Sequence, residues 1–233
     1  MKTNIVTLYI SILALLAFIP DTRAQNACSK FYPDEQGKTW VIHQFDKRNR
    51  LSTIAVYTIK DVAQGENGKT LTIAMKLVDG KNEKELTNVE FKAVCNGNTT
   101  KLDPESLVAP GIFDQYKEMD YSITGNGLSF PNELEVGENL PDGDVNMSVD
   151  AGIMKINAAI AMTGRKVEAL EKVTTPAGTF NCYKIISKNT FKMGMTQTSR
   201  STQWIAEGIG LVQEETKKEN GRLMSRSVLQ RLE

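Results

Sequence analysis

The sequence has little of what most catalytic and nucleic-acid-binding sites require. It contains one histidine, His43, so histidine-based nucleophilic triads and zinc sites with several histidines cannot be assembled from it. The 28 lysines and arginines are balanced by 28 aspartates and glutamates, so the basic excess typical of nucleic-acid binding is absent. We therefore interpret His43 as a structural residue of an apparent strand and expect no nucleic-acid partner.

Long apolar runs are also absent, apart from one at the N-terminus. Lys2 precedes the apolar run Ile5–Ile19, and Thr22-Arg23-Ala24 places small residues at a possible cleavage position. This pattern predicts a secretory signal peptide over residues 1–24 and a single domain over residues 25–233. The alternative, an uncleaved anchor, is less favoured because a membrane-spanning helix needs about 20 apolar residues. We expect no membrane-spanning segment after signal removal.

Cysteine is scarce, with three residues in the chain. Cys28 follows the predicted cleavage position, but Gln25 stands where a lipoprotein signal has a leucine-like residue, so we expect an unlipidated periplasmic or extracellular protein. In an oxidising compartment Cys28 can pair with Cys95 or with Cys182. We favour Cys28 with Cys95, because Cys182 lies in an alternating run and is expected to be a buried strand residue.

What the chain does contain is a series of tight-turn dipeptides between alternating runs. Asparagine, aspartate and glycine tolerate the positive φ angles of hairpin turns, so the series predicts antiparallel hairpins. The dipeptides are Asn67-Gly68, Asp79-Gly80, Asn96-Gly97, Asn126-Gly127, Asp142-Gly143 and Asn220-Gly221. The predicted strands include Leu51–Val62, Thr70–Val78, Ile153–Thr163, Phe180–Met195, Thr196–Ala206, Gly210–Lys217 and Arg222–Leu232.

These runs predict an all-β fold of eight to ten strands, in which a curved antiparallel sheet forms a half-barrel or open barrel. A short helical insertion is expected within Pro104–Met119, where Asp103 is a candidate cap and Pro110-Gly111 a break. An alternative makes Arg165–Val173 helical as well, because Val167 and Leu170 have helical spacing.

One predicted strand face has the character of a ligand-binding surface. Every second residue from Met154 to Met162 is apolar, which is the period of a strand with one side buried. Methionine adapts its shape, and small neighbours leave room for a lipid-like ligand on a curved sheet. The candidate ligand-lining residues are Met154, Ile156, Ile160, Met162, Phe191, Met193 and Met195.

No motif for a metal or cofactor is complete. Asp142, Asp144 and Asn146 have the spacing of the first calcium ligands of an EF-hand loop, but Met147 and Ile153 occupy the positions of its glycine and glutamate. Gly208-Ile209-Gly210 lacks the third glycine of a dinucleotide loop. The sequence therefore predicts no metal, no cofactor and no identifiable catalytic residue.

Four separated segments carry a family resemblance. They are Cys28–Pro33 with Gly37 and Trp40, then Leu140–Gly143, Thr174–Lys184 and Trp204–Val212. With these segments the chain resembles the TapB-like family of exported bacterial proteins of unknown function. The resemblance implies an envelope protein with a curled antiparallel sheet, and it implies no catalytic residues.

The sequence favours a non-enzymatic envelope protein that binds an apolar or amphipathic ligand, or a partner protein, on its concave sheet face. A first alternative is a carboxylate-dependent hydrolase of envelope polymers, which would need two acids about 5 to 9.5 Å apart. A second alternative is a structural or assembly component, which would show an exposed strand edge or apolar patch.

Overall fold

A computed structural model describes residues 30–65, 68–108, 119–150, 152 and 155–233. The predicted signal peptide, Cys28 and Met154 lie outside these residues. Twelve strands account for most of the described chain. They are β1 (Thr39–Asp46), β2 (Leu51–Gly65), β3 (Gly68–Asp79), β4 (Glu85–Asn96), β5 (Thr99–Leu102), β6 (Asp120–Pro131), β7 (Gly143–Asp150), β8 (Lys155–Thr175), β9 (Gly178–Met193), β10 (Met195–Ala206), β11 (Gly210–Lys217) and β12 (Leu223–Leu232).

The strands form one antiparallel sheet that closes on itself. Each strand pairs with its neighbours in the sequence, and β1 also pairs with β12, from Trp40 opposite Leu232 to Asp46 opposite Ser225. The all-β class and the curved antiparallel sheet are confirmed. The sheet has twelve strands and curls further than a half-barrel, because β1 has partners on both sides.

Several predicted turns are found where the dipeptides indicated them, but two are not turns. Asp79-Gly80, Asn96-Gly97 and Asn220-Gly221 lie at or between the ends of paired strands. Asn126-Gly127 instead lies at a register shift inside β6, and Gly143 begins β7. Gly127 has φ +67°, and a Cβ atom there would overlap the carbonyl oxygen of Leu102 on the neighbouring strand.

The helical expectations have different outcomes. A single 3₁₀ turn forms at Pro104–Leu107, and residues 109–118 lie outside the described part of the chain. The helical alternative for Arg165–Val173 is wrong, because these residues belong to β8 and pair with β9. A register shift between Val167 and Ala169 alters the side-chain alternation there, so Leu170 is 55% exposed although Val167 is fully buried.

The main hydrophobic core fills one end of the ring. Inward-facing side chains such as Ile59, Leu71 and Ile73 are fully buried there. Phe31, which precedes β1, inserts among them and is only 2% exposed. Its ring centroid lies 6.2 Å from that of Tyr183 and 6.4 Å from that of Phe130, distances typical of aromatic pairs.

The segments that carried the family resemblance meet around Phe31. The backbone N–H of Gly208 donates to the carbonyl oxygen of Lys30, and Gly210, at φ +83°, lies against the Tyr32 ring and the Phe31 carbonyl. Tyr183 belongs to another of these segments, Thr174–Lys184, and its ring contacts that of Phe31 edge-on. The contacts of these segments therefore hold the residues before β1 against the core, so the segments have a structural role.

A buried arginine anchors the loop between β6 and β7. Arg165 is 1% exposed, and its Nη1 donates to the carbonyl oxygens of Ser129 (2.8 Å) and Pro141 (2.5 Å). Its guanidinium carbon lies 4.6 Å from the centre of the Phe130 ring, a cation–π arrangement. Burial lowers the pKa of Arg165 to about 10. The guanidinium thus replaces water as the partner of one carbonyl of β6 and one carbonyl of the loop that follows it.

The cysteine environments agree with the expectation for Cys182, which is a buried free thiol. No disulfide joins two described cysteines, so the pairing of Cys28 with Cys95 stays a prediction. The chain just after Cys28 lies near Cys95, since Asp34 forms a 2.8 Å ion pair with Lys69, the cross-strand neighbour of Cys95.

We predict that Gly127→Ala destabilises the protein more than Gly137→Ala. Both glycines have positive φ, which costs alanine about 1–2 kcal/mol, but a Cβ at Gly137 meets no atom within 4 Å. The overlap with Leu102 should cost Gly127→Ala a further ~1–3 kcal/mol in the free energy of unfolding. Urea denaturation measures both values, and equal losses would contradict the close approach of β6 to β5.

We also predict a Cys28–Cys95 disulfide in the protein folded under oxidising conditions. Non-reducing peptide mapping should find these two peptides linked and Cys182 unmodified by thiol reagents until unfolding. On the chain-entropy account the bridge stabilises the fold by about 4 kcal/mol. Cys95→Ala should therefore lower the free energy of unfolding of the oxidised protein far more than Cys182→Ala does. A bridge that contains Cys182, or three reactive thiols, would contradict the prediction.

Candidate functional site

The inner face of the ring changes from apolar to polar along several strands. On β1 the buried Ile42 is followed on the same face by Gln44, and on β12 Leu229 is preceded by Ser227. Alternate strand residues share one face, so these polar side chains point into the ring beyond the core. We call this inner surface the polar wall. It consists of Gln44, Thr53, Ser187, Asn189, Ser201, Gln203, Glu214 and Ser227.

Glu214 on β11 is the charged member of the polar wall. It lies opposite Gln203 of β10 and Ser227 of β12. Its Oε1 accepts hydrogen bonds from the Ser201 hydroxyl (2.7 Å) and the Gln203 amide (3.2 Å). Its Oε2 accepts none from the described residues, so one carboxylate oxygen keeps hydrogen-bonding capacity directed into the ring.

The surroundings of Glu214 alter its acidity. Burial raises the pKa of Glu214, and the hydrogen bonds from Ser201 and Gln203 partly oppose that rise. Burial, with a smaller effect of the Glu214 charge, raises the pKa of Tyr57 to about 12. The Tyr57 ring stacks on Trp40 with centroids 5.1 Å apart, and Trp40 belongs to the core. Glu214 therefore lies where the polar wall meets the core.

Other polar-wall side chains also pair with each other. The Thr53 hydroxyl donates to the side-chain amide oxygen of Gln44 at 2.5 Å, and the Ser187 hydroxyl donates to the side-chain amide oxygen of Asn189 at 3.1 Å. Ser201 and Ser227 are buried, whereas Gln44, Gln203 and Glu214 keep partial exposure. The wall therefore offers hydroxyl, amide and carboxyl groups, some of which remain accessible within the ring.

A second inner surface is apolar and adjoins the polar wall along β9, and we call it the apolar wall. Val145, Met147 and Val149 on β7 alternate with polar residues and lie opposite β8. The wall is completed by Ile156, Ala158, Ile160, Phe191 and Met193. The structure thus brings together four of the predicted ligand-lining residues: Ile156, Ile160, Phe191 and Met193.

The other predicted lining residues do not join this group. Met162 is 7% exposed and belongs to the main core, while Met195 is 76% exposed beside the β9–β10 turn. Val108, which follows the 3₁₀ turn, packs on Val145 and Met147 and leaves a cavity of only about 10 Å³. Such a volume is at the lower limit for one water molecule, so the chain itself fills part of the space in front of the apolar wall.

The remaining sequence candidates have local structural roles. The Asp142 carboxylate accepts from the backbone N–H of Gly164 (3.0 Å), and the Asp144 carboxylate accepts from the Asn126 amide (2.7 Å). Burial, together with Arg231, lowers the pKa of the half-buried His43. Within the described ranges, no three histidine, cysteine or acidic side chains come close enough to hold a metal ion. The described chain also has no helix with the length and hydropathy of a membrane span.

We predict that Glu214→Gln changes the pH dependence of stability. The raised pKa means that the folded protein binds more protons than the unfolded chain between the ordinary value of 4.5 and the raised value. Wild-type stability should therefore decrease as pH rises through this window. Glu214→Gln removes this titration, so the variant should gain stability relative to wild type over the same window.

Urea unfolding at several values between about pH 4 and about pH 8 measures the difference. Glu215→Gln removes a carboxylate from the opposite face of the same strand and controls for the loss of one charge from β11. Identical pH profiles for wild type and Glu214→Gln would contradict the buried position of the Glu214 carboxyl group.

Two solved structures share this fold. One is a protein from Bacteroides fragilis, inferred to be exported and described as having a YmcC-like fold, with 22% identity and a TM-score of 0.73 over 88% of this chain and 100% of that chain. The other, inferred to be a lipoprotein of Parabacteroides distasonis, has 24% identity and a TM-score of 0.74 over 88% and 99%. At these identities the likeness establishes the fold alone.

The sequence comparisons identify a family. No curated protein matches the chain. The profile of the DUF3108-like family matches residues 35–229, a range that includes β1 to β11 and most of β12. The TapB-like name suggested by the sequence segments is not confirmed. The expectation of an uncharacterised family is confirmed, and the same fold occurs in a protein inferred to be exported. The chain belongs to the DUF3108-like family.

Proposed function

We propose that this chain is an exported, non-enzymatic binding protein that holds an amphipathic ligand inside the ring, between the polar wall and the apolar wall. The predicted signal peptide over residues 1–24 would direct it to the periplasm or the cell exterior. The B. fragilis protein of the same fold, inferred to be exported, supports that location.

The observation that carries the proposal is the unpaired acceptor on Glu214. Glu214 is half-buried, and its Oε2 is not among the buried side-chain oxygens that lack a partner, so this oxygen is open to solvent and can accept from a ligand in place of water. Here Oε1 is held by Ser201 and Gln203, and Oε2 has no described partner. A ligand hydroxyl or amide donating to Oε2 would supply the missing bond.

The apolar part of the ligand would lie along the apolar wall. Ile156, Ile160 and Met193 remain half-buried although Val108 covers Val145 and Met147. Contact with an alkyl chain would remove that remaining apolar surface from water, which is favourable by about 25 cal/mol per Å². An amphipathic molecule therefore suits this interior better than a wholly polar or a wholly apolar one.

Neither alternative function gains a specific observation. A paired-carboxylate hydrolase needs a second acid beside Glu214. Burial raises the pKa of Glu214, the hydrogen bonds from Ser201 and Gln203 oppose that rise, and no neighbouring acid contributes to the shift. An assembly component that recruits partners by strand addition needs a strand edge. Each of the twelve strands has a neighbour on both sides, so strand addition is left only the parts of β4 and β6 that the four-residue β5 does not cover.

The test uses monolaurin, a neutral amphiphile whose glycerol hydroxyls can donate to Glu214. Isothermal titration should show saturable binding to the purified protein. Gln203→Trp places an indole in the polar wall and should weaken binding by about tenfold or more, a loss of at least ~1.4 kcal/mol. Thr202→Trp adds the same side chain on the outer face of the same strand and should bind as wild type does.

Thermal unfolding of both variants checks that each is folded, and Glu214→Ala supplies a second variant that removes the acceptor without adding bulk. No binding by wild type, or equal weakening by Gln203→Trp and Thr202→Trp, would overturn the proposed function. Native mass spectrometry of the protein purified from its own envelope should then show the mass of the natural ligand.

A further inference from the structure

Three cations lie side by side on the outer face of the sheet. Lys188 of β9 pairs directly with Arg200 of β10, which pairs directly with Lys217 of β11. We call these residues the basic row. Directly opposed side chains have Cβ atoms about 4.5–5.5 Å apart, and like charges at that spacing destabilise a sheet. The repulsion among these three cations is unfavourable unless negatively charged partners offset it.

The protein compensates the basic row only in part. Lys217 forms a 2.7 Å ion pair with Glu215, and Lys188 lies 3.8 Å from Glu219. Arg200, at the centre of the row, forms no ion pair with any described residue. Arg200 therefore has a cation on each side and no carboxylate partner among the described residues.

The basic row borders a groove rather than a flat surface. The groove has a volume of about 780 Å³, and the hydroxyl-bearing Thr163 and Thr202 line it together with the cations. Lys218 adds a fourth positive charge, while Glu168 and Glu219 add two negative ones. Glu168 is already paired with Lys184 at 2.6 Å, so the lining keeps an excess of positive charge.

We propose that this outer groove binds phosphate groups of an anionic ligand through Arg200, with Lys188 and Lys217 on either side. The planar guanidinium donates two parallel hydrogen bonds to a tetrahedral oxyanion, and flanking ammonium groups neutralise the remaining charge. Bound phosphate would convert the repulsion within the row into attraction toward a shared anion. The buried Ser187 and Ser201 of the polar wall also border this groove, but the three cations lie on the outer face of their strands, so the proposal does not require a ligand inside the ring.

Pyrophosphate is the first probe, because its charge and two phosphate groups match a row of three cations. Isothermal titration should show binding to wild type that weakens as salt is raised, as expected for exposed charges. Arg200→Gln should weaken binding by about tenfold or more, since charge-assisted hydrogen bonds are lost. Arg200→Lys keeps the charge without the planar donor pair and should give an intermediate affinity.

Arg48→Gln is the matched control, because Arg48 is an exposed arginine in the β1–β2 turn and has no ion pair with a described residue. It makes the same chemical change at a distant position and should leave the affinity for pyrophosphate unchanged. Equal weakening by Arg48→Gln and Arg200→Gln would overturn the proposal, because it would show attraction to net charge alone.

Stability supplies a readout that does not depend on choosing the correct ligand. If repulsion within the row is real, Arg200→Gln should raise the thermal midpoint in low salt, and added salt should reduce that gain. A variant that is less stable than wild type in low salt would contradict the electrostatic cost on which the proposal depends.

Vesicles distinguish the source of the phosphate. Co-sedimentation with vesicles of phosphatidylcholine plus phosphatidylglycerol, and not with phosphatidylcholine alone, would identify lipid headgroups, provided that Arg200→Gln abolishes it. Binding of pyrophosphate without vesicle binding would identify a soluble phosphate ligand. Binding of neither probe to wild type would overturn the proposal.

Discussion

The pairing of β1 with β12 is the constraint on which the rest of the structure depends. These strands lie near opposite ends of the described chain, and their ladder converts eleven neighbouring strand pairs into a closed ring. Closure gives every strand a defined inner and outer face. It also places the polar wall, which runs from β9 through β12 to β1 and β2, and the apolar wall of β7 to β9 on the inner face of the same ring, where the two walls adjoin on β9. Without that ladder both walls would belong to an open sheet.

The interior differs in polarity between its two ends, and the proposed ligand site lies at the polar end. One end is filled by apolar side chains and by Phe31, so hydrophobic burial there supplies the main stabilisation. The other end carries hydroxyls, amides and the Glu214 carboxyl group, whose burial is unfavourable for the charged form. A protein selected for stability alone would be expected to continue the apolar core through this region. The half-buried acid is therefore the feature on which the proposed ligand site depends.

Local sequence patterns predicted much of the fold because strand alternation and hairpin chemistry are short-range properties. The strand Gly210–Lys217 was predicted with its observed bounds, and Asn220-Gly221 lies in the connection between β11 and β12. The site was harder to predict. Glu214 lies in Gln213-Glu214-Glu215-Thr216, which resembles a solvated strand end, and its interior position follows only from the closed ring. Arg165, between Gly164 and Lys166, likewise resembles a surface charge, and only the packing of the β6–β7 loop buries it.

The inner and outer proposals share strands, and strand geometry explains how they can remain separate. Ser187 and Lys188 are adjacent on β9, as are Arg200 and Ser201 on β10, yet in each pair the serine is buried and the cation is exposed. Because successive side chains point to opposite faces, a substitution in the basic row leaves the polar wall's side chains in place. Any communication between the two surfaces would have to pass through displacement of the β9–β10–β11 backbone. A ligand effect transmitted across the sheet would therefore change the affinity for one ligand when the other is bound, whereas independent sites would each keep the same affinity.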